Sequence, residues 1–317
     1  MATMEVIRPG MLTLIQDTGR YGAGAQGLSQ GGAVDLHAFC WANYLLANDA
    51  NSAMLEITLG QAEFHVLQDC RIAVTGADMQ PQLDGVPLPM WQSIEVRKGQ
   101  RIVFGFARSG LRAYLAVQGG FDAPMVLGSA SCVPRNQLGG LHQGKGLEKG
   151  DQLLVNPLSA EALKQMEGDG VHRQASARFI PDYSQAVQLR VIESYQQASF
   201  PESEKQRFYS GRYTVSQETD RMGCRLAGDP IHADIEGIVS EGVALGAIQI
   251  PPNGQPIVLL NDRQTLGGYP KLGCVARIDL PRLAQARPGT EVTFKRATLS
   301  EVIEQWQQFS RFFGLSL

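Results

Sequence analysis

At 317 residues the chain exceeds the size of about 250 to 300 residues at which single cores stop growing, so two domains are expected. A formal charge of −3, from 28 Lys and Arg against 31 Asp and Glu, leaves no basic field for a polyanion, and nucleic acid is not expected as a partner. No apolar stretch reaches the roughly 18 residues of a membrane helix, and the first ten residues carry Glu5 and Arg8 in place of a signal-peptide core, which points to the cytoplasm and away from a membrane.

In chain order, the first signals are glycine-rich. Gly22-Ala-Gly24-Ala-Gln-Gly27 matches a dinucleotide fingerprint literally, but the next helical pattern starts only at Leu36 and position 47 is alanine where an acidic residue would be needed. It reads as a glycine-rich turn. Ser29 sits in a G-x-S-x-G string without the strand, turn and helix that give a nucleophile elbow its chemistry. Asp35 caps a helix expected over Leu36 to Ala47. Short apolar runs broken by Gly, Pro, Asn or Asp follow, among them Arg71 to Thr75, Arg101 to Phe106, Ala113 to Val117 and, later, Pro256 to Leu260; they predict a mainly β chain. Ser159 opens a short helix through Met166. The polar stretch 167–188, with Gly168, Gly170 and Pro181 and no sustained period, is the linker candidate, dividing an N-terminal half, 1–166, from a C-terminal half, 189–317. Near the end Thr298 and Glu301 form a capping box ahead of Val302, Trp306, Phe309 and Phe313, which share one helical face. The five cysteines are odd in number and lack a C-x-x-C pair, and the five histidines are scattered, so neither a disulfide framework nor a metal site is expected.

An internal repeat relates the two halves. Glu56, Leu59 and Gly60 precede a strand ending at Asp78, and Glu241, Leu245 and Gly246 precede a strand ending at Asp262; each series continues into a charged glycine turn and an apolar strand. The glutamate-to-aspartate spacing is 22 residues in the first copy and 21 in the second. Asp17-Thr-Gly-Arg20 has a looser counterpart in Asp220-Arg-Met-Gly223. Two related β-barrel-like halves follow, with a site expected where they meet. From Asp78 to Gly99 the interval is 21 residues, and from Asp262 to Gly289 it is 27, so the second copy carries six extra residues, which we assign to the Gly267-Gly268-Tyr269-Pro270 run.

Several strings carry a family resemblance: Val6-Ile-Arg-Pro-Gly10, Gln16-Asp-Thr-Gly-Arg-Tyr-Gly22, Gly32-Ala-Val-Asp35, Leu55-Glu-Ile-Thr-Leu-Gly60, Thr75-Gly-Ala-Asp78, Asp220-Arg-Met-Gly223, Gln249-Ile-Pro-Pro-Asn-Gly-Gln-Pro256, Asn261-Asp-Arg-Gln-Thr265 and Gly267-Gly-Tyr-Pro270. Together they resemble the family of KipA and the 5-oxoprolinase C subunit, once called allophanate hydrolase subunit 2, to which the carboxyltransferase part of urea carboxylase is similar. Leu266 and Cys224 depart from the family pattern. The resemblance implies two tandem cyclophilin-like β-barrels with a few short helices. It also implies one member of a hydrolase complex that opens 5-oxo-L-proline to L-glutamate with the A subunit plus a KipI-like B subunit. ATP is then a co-substrate of the complex, and the chain alone is expected to be inactive. Two alternatives stay open: a biotin-dependent carboxyltransferase component, with biotin arriving on another chain, and a KipA-like regulator that binds a KipI-type kinase inhibitor.

Opening an unactivated lactam requires carbonyl activation, a held oxyanion and proton management. Arg20 and Arg221 are candidates to grip the substrate carboxylate bidentately, against the reading that each pairs with Asp17 or Asp220. Glu241 and Asp262 are the favoured acid and base, with Glu56 and Asp78 as a possible second pair or as duplicated structural carboxylates. In the loop Gln264 to Pro270, Gly267 and Gly268 are expected to bring backbone N–H groups close to a ligand, with Thr265 and Tyr269 adding hydroxyl donors.

Overall fold

The computed structural model describes residues 2–158 and 172–315, and within them the chain is mostly β with few helices, as its punctuation predicts. The expected helix from Ser159 to Met166 lies outside the described residues. Packing divides the chain into two units. One takes in residues up to Arg20, Gly31–Tyr183 and Phe313–Leu315, and the other Tyr21–Gln30 and Ser184–Phe312.

In the first unit two sheets enclose one apolar core. One sheet orders the strands Phe121–Asp122, Gln152–Val155, Met4–Pro9, Ala62–Val66, Arg101–Val103, Gln82–Leu83 and Val86–Pro87; the other orders Leu12–Gln16, Met54–Thr58, Ser109–Val117, Cys70–Asp78 and Ser93–Val96. Alternate residues of both, among them Met4, Phe64, Ile102, Leu55, Ile72, Val74 and Leu115, fill the space between the sheets. Helix α1, Leu36–Leu45, begins where Asp35 accepts a hydrogen bond from Ala38 N, at 2.9 Å. The second Asp35 oxygen takes the Tyr183 hydroxyl at 2.8 Å. Asp35→Ala is therefore expected to cost about 2 kcal/mol, the upper end of the capping range, measured as a lower urea midpoint; a loss within error would remove the cap from the account of this helix.

The stretch read as a linker is drawn differently by the packing. Its described residues as far as Tyr183 belong to the first unit, where Arg173 N donates to Ser93 Oγ, Ala175 N to Trp91 O and the Tyr183 hydroxyl to Asp35, while Ser184 onward belongs to the second unit and Val187 opens its first strand. Main-chain N–H groups supply two of these bonds and the Tyr183 hydroxyl the third, so low hydrophobicity here does not mean freedom. Tyr21–Gln30 likewise groups with the second unit rather than with the N-terminal half, because Ser29 Oγ donates to Arg263 O at 2.8 Å and the Tyr21 hydroxyl meets Arg277. The Gly22–Gly27 string is a turn: Ala23–Gln26 form one 3-10 turn flanked by Gly22 and Gly27, both with positive φ.

The second unit is a closed barrel, ordered Val187–Glu193, Lys271–Val275, Ala247–Gln249, Ile257–Leu259, Gly223–Ala227, Tyr213–Val215 and Glu291–Arg296. The first and last of these pair in parallel, Val187 opposite Val292, which closes the ring. Phe208 of helix α2, Glu202–Ser210, is fully buried and stacks on Phe294 at 4.3 Å between ring centroids. A short helix α3, Leu280–Ala284, and the final helix α4, Leu299–Phe313, follow. The capping box forms as expected, with Glu301 Oε2 accepting from Thr298 N and Thr298 Oγ1 from Glu301 N. Helix α3 also alters the reading of the six extra residues. Between its aspartate and glycine the first copy has strands Gln82–Leu83, Val86–Pro87 and Ser93–Val96, and the second has Leu266–Gly267, Lys271–Val275 and α3. The two intervals do not share a frame, so the extra length belongs to the whole interval and not to the Gly-Gly-Tyr-Pro run alone.

Candidate active site

The sequence-derived candidates separate into framework and site once their partners are known. In the first unit Arg20 is 1% exposed and its guanidinium donates to the carbonyl of Ser131 at 2.6 Å and, more weakly, to those of Ser129 and Val126 at 3.4 Å. A fork spent on main-chain oxygens is not presented to a substrate. Asp17 does not pair with it as expected: its carboxylate accepts from Gly19 N, Ala130 N and the hydroxyls of Ser129 and Ser131. Glu56 is fully buried and accepts from Tyr114 Oη at 2.7 Å and Val34 N at 3.1 Å, with Arg112 Nε at 3.7 Å. Burial, and then the nearby Glu56 and Asp35 carboxylates, push the Tyr114 phenol well up, so it remains a donor. Asp78 accepts from Gln80 N at 2.9 Å, the bond of a turn. The two members of the second carboxylate pair are thus bonded within the fold, each in a different way.

In the second unit Arg221 and Asp262 form a bidentate pair, Nε to Oδ2 at 2.9 Å and Nη2 to Oδ1 at 3.0 Å, with side chains 7% and 4% exposed. Asp220, the partner in the competing reading of Arg221 as half of an ion pair, accepts through Oδ1 from Met222 N and Gly223 N. An aspartate held in an arginine fork is a poor proton carrier, since the guanidinium favours its charged form.

Glu241 is placed differently. The strand Glu241–Gly242 pairs with Leu266–Gly267, Glu241 directly opposite Gly267, and Val243 N donates to the carbonyl of Thr265. The glycine loop is therefore fixed to Glu241 through the backbone. One carboxylate oxygen lies 2.5 Å from Lys271 Nζ and 3.0 Å from Gln196 Nε2, and the other accepts from the Tyr195 hydroxyl. Gln196 also accepts from Lys271 N at 2.9 Å. The Lys271 ammonium first, and the Tyr195 hydroxyl second, hold the Glu241 carboxyl below the usual carboxylate range, while the bond to Glu241 raises the Tyr195 phenol. This is an ammonium, carboxylate and phenol in series, with the phenol donating to the carboxylate at the Glu241–Tyr195 contact. Tyr195 is 73% exposed and Tyr269 41%, so the set opens to solvent.

Gly267 and Gly268 lack positive φ, so the loop does not need glycine for its backbone conformation. The reason is space. A Cβ on Gly267 would come within 2.4 Å of Gln249 Nε2, and one on Gly268 within 3.3 Å of Ile238 O and Ser240 Oγ. At Gly267 the close approach is that of the Gln249 side chain to the backbone.

Sequence reasoning missed Lys271, Gln249, Tyr195 and Gln196. Lys271 directly follows the Gly-Gly-Tyr-Pro run and opens an apolar strand, a signal that was available. Tyr195 and Gln196 sit in a 3-10 turn, Tyr195–Ser199, with no motif of their own.

Among known proteins, the family model for the carboxyltransferase domain, subdomain A and B, matches residues 26–296. The chain is 35% identical to the 5-oxoprolinase C subunit of Escherichia coli K12 over 98% of this chain and 96% of that protein. It is also 35% identical to the 5-oxoprolinase C subunit of Haemophilus influenzae, over 90% and 89%. The crystal structure of Kluyveromyces lactis urea carboxylase superposes with a TM-score of 0.87 at 26% identity, covering 98% of this chain and 29% of that one.

Proposed function

Because the chain belongs to the family of the carboxyltransferase domain, subdomain A and B, we propose that it serves as the C subunit of an ATP-dependent 5-oxoprolinase. In this reading the complex opens 5-oxo-L-proline to L-glutamate, in the cytoplasm, together with the A subunit plus a KipI-like B subunit. Water adds to the ring carbonyl carbon, the carbon–nitrogen bond breaks, the nitrogen takes a proton, and hydrolysis of ATP drives the exchange. The observation that carries the reading is Glu241, set against the Gly267 backbone and joined to Tyr195 and Lys271. The Tyr195 phenol, which keeps its proton beside this carboxylate, is the group of the set that can supply the proton the ring nitrogen requires. Thr265 and Tyr269 flank the same strand and supply hydroxyls, while Asp262 and Arg221 hold the turn that carries Thr265. No phosphate-binding G-x-x-x-x-G-K-[ST] occurs in the chain, so ATP binding falls to the assembled complex.

The similarity to urea carboxylase supports a second reading, a carboxyltransferase component that receives a carboxyl group from biotin on another chain. The experiment that separates the readings is purification with candidate A and B subunits, followed by an assay for ATP-dependent glutamate release from 5-oxoproline. Release by the complex and none by the isolated chain is expected. Turnover by the chain alone would overturn the division of labour, and carboxyl transfer from carboxybiotin without glutamate release would replace the first reading with the second.

A further inference from the structure

Lys271 and Gln249 stand opposite each other in the antiparallel pair formed by Lys271–Val275 and Ala247–Gln249. Registered partners put their side chains on one face of the ladder with Cβ atoms about 4.5–5.5 Å apart. Both residues are deeply buried, at 5% and 2% exposure. Side chains this polar are buried with partners satisfied as a rule. Here, among the described residues, Gln249 Nε2 has no acceptor, and Lys271 Nζ, which carries three donors, has the Glu241 carboxylate alone. The barrel wall therefore holds a surplus of donors beside Gly267, where the Gln249 amide takes the place a side chain would fill.

We infer that Lys271 and Gln249 form a seat for the carboxylate of a small ligand, one oxygen on the ammonium and one on the amide, and that Glu241 is the group this carboxylate exchanges with. The identity of the ligand, the carboxylate of a five-membered cyclic amide, rests on the 5-oxoprolinase reading; the seat itself does not. Exchange of one carboxylate for another leaves the charge around Lys271 balanced, and a buried charge is costly without a partner. A phosphate dianion would bring a second negative charge with no cation to meet it. The Glu241 side chain is 34% exposed, so it can turn to water without being left as a buried charge.

Calorimetric titration of the full chain, free and in the reconstituted complex, tests the seat with 5-oxo-L-proline, with 2-pyrrolidinone, which lacks the carboxylate, and with acetate. Lys271→Met is expected to weaken 5-oxoproline and acetate by about 10-fold or more, the worth of a hydrogen bond to a charged group, and to leave 2-pyrrolidinone unchanged. Gln249→Leu should act in the same direction. If Lys271→Met melts far below the parent, the double variant Lys271→Gln with Glu241→Gln keeps the site neutral and takes its place. Equal weakening of all three probes, an unchanged KM for 5-oxoproline in the complex, or no binding of either carboxylate by the parent chain or its complex would overturn the inference. A complex that releases no glutamate, with acetate binding still dependent on Lys271, would overturn the 5-oxoprolinase reading and leave the seat standing.

Discussion

Asp262→Ala is expected to destabilise the fold by about 3–5 kcal/mol, because it takes the bidentate carboxylate away from the buried Arg221 guanidinium of the second unit. The two side chains are almost wholly excluded from water and meet through two parallel bonds of 2.9 and 3.0 Å. Removing one partner leaves the full desolvation cost of the other, which exceeds what the pair itself contributes. The double variant Asp262→Ala with Arg221→Met should accordingly recover part of the loss, since it removes both charges together. Arg221→Lys keeps the charge and forfeits the fork, so it should fall between the parent and the single alanine variant in stability. Urea denaturation of the four proteins measures all of this. The backbone around the pair is tied to it as well, with Asp262 N donating to Arg221 O and Arg263 Nε to Val243 O, so the loss should extend to the turn that carries Thr265. If Asp262→Ala instead keeps its stability and the complex loses activity, Asp262 returns to the chemistry as its acid or base.

What could be read from the sequence was local. Asp35 before an apolar helix and Thr298 three residues before Glu301 carry their capping chemistry within one turn, and both form as expected. The strands around Arg71–Thr75, Ala113–Val117 and Pro256–Leu260 lie within Cys70–Asp78, Ser109–Val117 and Ile257–Leu259 to within a residue or so. Side-chain roles were harder because they depend on partners far away in the chain. Arg20 looks like a substrate fork until Ser129 and Ser131 are brought to it, more than a hundred residues on. Arg221 has an aspartate directly beside it in sequence and pairs with Asp262 instead, since Asp220 is used by its own turn. Glu56 and Glu241 occupy matching places in the repeat, yet one is fully buried and the other opens to solvent. Lys271 and Gln249 meet only through barrel register, and a register shift between Ile248 and Gln249 makes that pairing invisible to simple alternation.

Gly267→Ala should lower kcat/KM of the assembled complex by about 10- to 100-fold with little change in melting temperature, because a displacement near 1 Å at a site is enough for such a loss. The new methyl group would lie 2.4 Å from Gln249 Nε2, a contact that real side chains do not sustain, and 3.2 Å from Val243 Cγ2. The obstacle is the end of a flexible side chain, so the amide moves and the backbone stays. Gly267 has no positive φ, and alanine therefore brings no backbone strain. The energy of the fold changes little, while the donor beside Lys271 is turned away from the place where a ligand would meet it. Gly268→Ala should be milder, since its methyl would stand 3.3 Å from Ile238 O and Ser240 Oγ. Gly242→Ala is the control: it lies on the strand paired with Leu266–Gly267, and a Cβ there meets nothing within 4 Å. Steady-state kinetics of the three variants in the reconstituted complex, with thermal melting of each chain, decide the matter. Full activity in Gly267→Ala would take Gln249 and the glycine loop out of the site, and an equal loss in Gly242→Ala would show that the strand pair tolerates no alanine whatever lies beside it.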